Sequence, residues 1–141
     1  MKWKIKIGLA LALGITLLAQ TGQNYKARLS AVAADARTRP ALAGSGSATA
    51  MLSGSRLTVN GSFEGLLSPA TTAQLHAAIM AGVRGPVIQD LTISKAAGGT
   101  ISGSAELTAD QIEKLHKGGI YLQIQSEKEP DGVLWGWFLK Q

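Results

Sequence analysis

The chain has no cysteine among its 141 residues, which excludes disulfide bonds, thiolate metal sites, thiol catalysis and a lipid-modified cysteine. Charged residues are only 16% of the total, too few for a disordered acidic or basic tail or for a coiled coil. Histidine occurs twice, as His76 and His116, so neither a catalytic triad nor an imidazole-rich metal centre has much to draw on. No serine sits in the glycine-flanked elbow that such a triad uses. Phosphate-loop and dinucleotide signatures are missing as well. Glu127, Glu129 and Asp131 crowd one polar turn, where they read as solvated charges and not as the paired carboxylates of glycoside hydrolysis. These absences together predict a protein that is not an enzyme and carries no cofactor.

What the chain does have is apolar surface and turns. Hydrophobic residues make up 45% and there are 17 glycines, the composition of a turn-rich globular protein long enough for one core and one domain. The formal charge of +5 overstates its basicity. Lys2, Lys4 and Lys6 precede an apolar run from Ile7 to Ala19, the charged and hydrophobic regions of a secretory signal peptide. That run is shorter than the roughly 20 residues a membrane span needs. A signal peptide is therefore expected over residues 1–20, with cleavage after Ala19, leaving a single domain over 21–141 with no transmembrane span and a secreted or periplasmic address. The basic residues that remain are scattered, so no nucleic-acid partner is implied.

Short alternating runs dominate that domain. Ala27, Leu29 and Ala31 alternate with Lys26, Arg28 and Ser30 in a first strand. Ala34–Gly44 has no periodicity and reads as a loop. Gly46–Leu52 and Leu57–Phe63, joined by Ser53–Arg56, form a hairpin. Thr71–Ala77 follows as a strand with Gln74 and His76 on one face, then a glycine-bounded loop over Ala78–Gly85, then a strand that puts Val87, Gln89, Leu91 and Ile93 on one face. Ile101, Gly103, Ala105 and Leu107 alternate with Ser102, Ser104 and Glu106. Thr108 and Gln111 make a capping box for one short helix that stops at Gly118-Gly119, with His116 and Lys117 favourably placed at its carbonyl end.

The densest apolar stretch is Ile120–Leu139. Ile120, Leu122 and Ile124 oppose Tyr121, Gln123 and Gln125. The final run is apolar on both faces, with Val133, Trp135, Trp137 and Leu139 on one and Leu134 and Phe138 on the other. The predicted fold is all-β: an antiparallel, Greek-key-like β-sandwich of about eight strands, with one short helix before the penultimate strand.

Several stretches in this order resemble the chordin-type (CHRD) family of secreted β domains. They are YKARLSA from Tyr25, the hairpin GSATAMLSGSRLTVNGSFEGL, the segment TTAQLHAAIMAGVRGPVIQDL, and the ending GGTISGSAELTADQIEKLHKGGIYLQIQSEKEPDGVLWGWF. Pro86-Val87, the Leu107–Gln111 cap, Gly119, Tyr121, Ile124, Pro130, Gly132 and Gly136 fall where the family pattern puts their counterparts. The resemblance implies a secreted sandwich domain without a defined general chemistry. Its histidine positions correspond here to Gln74, His76 and Gln125, so one of three is kept.

Two surfaces follow as candidate sites. Gln74, His76 and Gln125 could converge on a copper or zinc ion, with His76 the one strong ligand; amides are weak ligands beside imidazole, and the opposing expectation is that these residues and Gln123 form a hydrogen-bonded polar face. Trp135 and Trp137, if they share a partly exposed face, would dock a protein partner or stack on a sugar. A small domain with few aromatics usually buries them, so filling the core is the competing expectation. The function expected is that of a non-catalytic accessory or binding protein with an envelope or extracellular partner; the alternative is a metal-binding or redox protein using His76.

Overall fold

The computed structural model describes residues 22–33 and 42–141. The expected signal peptide and most of the Ala34–Gly44 loop lie outside the described residues. Nine strands and one helix follow in order: β1 (Gln23–Ala31), β2 (Ser45–Ser53), β3 (Arg56–Glu64), β4 (Ala70–Ala77), β5 (Val87–Ile93), β6 (Gly99–Glu106), α1 (Ala109–His116), β7 (Ile120–Ser126), β8 (Leu134–Trp137) and β9 (Leu139–Lys140).

All pairings are antiparallel, and the sheet runs β2-β3-β6-β5-β4-β7-β8-β1 before closing through a β1–β2 ladder. The result is an eight-strand barrel and not the expected sandwich. The cause lies in β1, whose two edges are both occupied. Gln23–Leu29 pairs with β2 on one side, while Ser30 and Ala31 pair with β8, and Tyr25 and Lys26 with β9, on the other. Strand periodicity reports faces, not edges, so closure leaves no mark in it. The Greek-key expectation holds: β4, β5 and β6 are consecutive neighbours, β7 returns beside β4, and β3 lies beside β6.

The barrel is filled by side chains, as an eight-strand barrel must be. Its interior is built of small and medium aliphatics such as Ala27, Ala48, Ala73, Leu57, Leu75 and Leu122, together with Tyr25, Phe63 and Phe138. Each fully buried Leu or Ile contributes roughly 1.5–3 kcal/mol of transfer free energy. The inward faces expected in β3, β6 and β7 are observed, with Ile120, Leu122 and Ile124 fully buried. Thr108 caps α1 with the full reciprocal box, its side chain accepting from the Gln111 amide while the Gln111 side chain accepts from the Thr108 amide. Leu115 and Ile112 bring the helix onto the core.

Three orientations differ from expectation, those of Ala31, Val87 and Val133, and a fourth decides between two expectations. Ala31 is exposed, and Tyr25 takes its place among the inward residues of β1. In β5 the register against β4 shifts between Leu75 and His76, so that Leu75 faces Gln89 but His76 faces Val87. That irregularity turns Val87 outward, where it is 46% exposed, and lets Ile88 pack on the core. Val133 is buried in the core and does not share a face with the tryptophans. Trp135 and Trp137 do not fill the barrel: they stand half-buried on its outer surface.

Candidate functional site

Because side chains alternate along strands, the outer face of β4, β7 and β8 is a small lattice. Register puts His76 opposite Tyr121 and Tyr121 opposite Trp137, giving one row of three rings across three strands. The next row is Gln74, Gln123 and Trp135. Within the first row the His76 and Tyr121 rings stack with centroids 4.6 Å apart, and Tyr121 tilts against Trp137 at 4.8 Å. Trp135 meets Trp137 edge to face at 4.8 Å and Tyr121 at 6.3 Å. Both are favourable aromatic geometries.

An outward-facing row would ordinarily be wet, yet His76, Tyr121 and Gln123 are buried. The cover is the loop between β4 and β5, which folds back over the sheet. Its pivot is Gly85, where a Cβ would lie 2.0 Å from the Ala77 carbonyl oxygen; only glycine permits that approach. The Gly85 carbonyl accepts from His76 Nδ1 at 2.9 Å and from the Tyr121 hydroxyl at 3.2 Å, and the Gly85 amide donates to that hydroxyl at 3.1 Å. Arg84, next along, lays its guanidinium 4.4 Å above the Trp135 ring and reaches Gln123 Oε1 at 3.4 Å. Gln123 in turn donates to the Asp131 carbonyl at 3.1 Å.

Beyond this clamp the lattice opens into a cleft of about 450 Å³ floored by Trp135, Gly136 and Trp137. One wall is β1, whose outward residues Lys26, Arg28 and Ser30 face it; Ala81 and Leu139 close the other end. Neither Lys26 nor Arg28 forms an ion pair among the described residues. The cleft therefore combines an indole floor with a cationic wall that no ion pair among the described residues neutralises. Such a surface favours a partly apolar ligand that carries negative charge.

The sequence-derived site residues divide between two environments. Trp135 and Trp137 do share a partly exposed face. Gln74, His76 and Gln125 do not converge: Gln125 faces Thr72 and Gln74 faces Gln123, which leaves Tyr121 as His76's neighbour. Gln74 donates instead to Asp90 Oδ1 at 2.9 Å. Among the described residues no group of three His, Cys, Asp or Glu side chains lies close enough to hold a metal ion. His76 nevertheless keeps a buried Nε2 with no hydrogen-bond partner among the described residues, as does Trp137 at Nε1. With Nδ1 donating to Gly85, the neutral form of the ring leaves a lone pair on that Nε2.

Sequence reasoning passed over Arg84, Lys26 and Arg28 as site residues, although the period-2 pattern already put both β1 cations on the outer face. Their meeting with Trp135 and Trp137 needed the β1–β8 pairing.

A family model, described as the CHRD domain, matches residues 25–136. Comparison with curated proteins and with solved structures finds no match. The match spans the barrel from within β1 into β8, taking in the clamp and, of the cleft floor, Trp135 and Gly136, and on that extent the chain belongs to the CHRD domain family.

Proposed function

We propose that this protein is an exported, non-catalytic binding domain whose partner lies on the Trp135–Trp137 cleft, the partner being an envelope or extracellular protein that presents an acidic segment. The observation that carries the reading is the pair of half-buried indoles on the outside of a barrel, beside Lys26 and Arg28, which form no ion pair among the described residues. Tryptophan and arginine are the residues most often found at interface hot spots. Export rests on the lysine-flanked apolar run at residues 2–19. It agrees with the extracellular or periplasmic setting typical of CHRD domains and with the lack, among the described residues, of any helix long and apolar enough to cross a membrane.

Capture experiments on the envelope fraction with the processed protein test this. Trp135→Ala, and separately the double variant Lys26→Glu with Arg28→Glu, are expected to lose a salt-sensitive capture that the wild type shows while keeping its circular dichroism. Capture retained by the folded double variant overturns the reading.

A second reading is favoured by one atom, the buried Nε2 of His76, which has no hydrogen-bond partner among the described residues. Through that atom His76 would supply an imidazole ligand to copper or zinc. Metal content of protein purified from its own compartment, compared with that of His76→Ala, decides it; equal and negligible metal in both removes the idea.

A further inference from the structure

The turn at the tip of the β4–β5 loop is apolar and fully outside the protein. Residues Ile79 to Arg84 are six consecutive exposed positions, with Ile79 65%, Met80 53% and Val83 36% exposed. The Val83 amide donates to the Met80 carbonyl at 3.4 Å, and Gly82 supplies the positive φ of 83° that reverses the chain. A Cβ at Gly82 would have nothing within 4 Å, so the turn reaches into open space. Large apolar side chains in water disfavour such a turn unless something covers them.

The base of the turn is held firmly and is basic. Gly85 is fixed by His76 and Tyr121, and Arg84 is held over Trp135. Ala81 lines the same cleft as Lys26 and Arg28. Leu139, 53% exposed, is brought alongside, since a Cβ at Gly118 would touch both Leu139 and Ala81. An apolar tip therefore projects from a collar of cations with half-buried tryptophans behind it.

We infer that this turn inserts into the surface of an anionic lipid bilayer. A folded protein partner would need a matched concavity and roughly 800 Å² of contact per side, more than a six-residue convex turn offers. A fluid bilayer adapts to any convex shape. Its interface accepts Ile79, Met80 and Val83 among the upper acyl chains, while acidic headgroups meet Lys26, Arg28 and Arg84. Tryptophans at headgroup level are in a favourable position. The inference concerns the tip and stands whether or not the cleft has a ligand of its own.

Co-sedimentation with phosphatidylcholine vesicles doped with phosphatidylglycerol tests it, using the processed protein and the double variant Ile79→Asp with Met80→Asp. Both changes lie at exposed positions, and an unaltered thermal transition shows that the variant is folded. The wild type is expected to partition onto the doped vesicles, with binding that falls as salt rises, and the folded variant to lose at least about tenfold. Equal partitioning of wild type and variant, or no partitioning of the wild type, overturns the inference. Equal binding to undoped vesicles overturns its anionic part. Because Ile79 and Met80 do not line the cleft, the variant should still show the salt-sensitive capture proposed above, which keeps the two readings separable.

Discussion

The inside of this barrel and the outer face of β4, β7 and β8 are both buried, but by different chemistry. Inside, Ala27, Ala48, Ala73 and the aliphatics of β7 fill the space with nothing to hydrogen-bond. Outside, His76, Tyr121, Trp135 and Trp137 form a connected set of rings, and among the described residues His76 Nε2 and Trp137 Nε1 have no hydrogen-bond partner. An eight-strand interior is just wide enough for modest side chains, so the bulky indoles are placed where a loop can cover them partway. The inner layer is suited to hold the fold and the outer one to be altered by contact.

The contrast can be broken first from the inside. Leu122→Ala removes a fully buried side chain at the centre of β7 and should lower the unfolding free energy by about 2–5 kcal/mol in denaturant titration. On the other face of the same strand, Tyr121→Phe keeps the ring stack but removes the hydroxyl that accepts from the Gly85 amide. Leaving that donor unpaired should cost about 1–3 kcal/mol, and amide exchange at Gly85 should quicken while exchange at Leu122 changes much less. An equal gain in exchange at both amides would show that loop and barrel open as one unit.

The smallest effect concerns Tyr25, the tyrosine inside the barrel. Burial pushes its hydroxyl above the ordinary value of 10.0. The folded protein therefore keeps a proton that the unfolded chain releases near that value, so stability should decline as pH rises from the unfolded value toward the folded one. Tyr25→Phe should flatten the decline in thermal midpoint across about pH 9 to 11; an identical slope would assign the alkaline loss to other groups.

Much of the fold is legible in residue order because each strand has one dry and one wet side. Leu57, Val59 and Phe63 declare their face in β3, and Thr108 with Gln111 declares the start of α1, since both signals are local. Val87 and Val133 are harder: the first is turned outward by a shift of register against β4, the second lies inside although period-2 spacing puts it on the face of Trp135. Neither event changes composition. The candidate site was half legible for the same reason. Trp135 and Trp137 stand out by residue type, whereas the Gly85 clamp depends on a loop lying across the strand that its own hairpin partner pairs with.

By itself the sequence determined a turn-rich antiparallel β domain without thiol chemistry, the faces of most of its strands, its one capped helix, and a resemblance to the CHRD family that the domain match bears out. These are properties of single segments, set by alternation, capping and composition. Tertiary structure alone decided that the sheet closes, that the tryptophans lie outside, and that Lys26 and Arg28 face them across a cleft. Those depend on which strand edges meet, and backbone hydrogen bonds can join edges of almost any sequence.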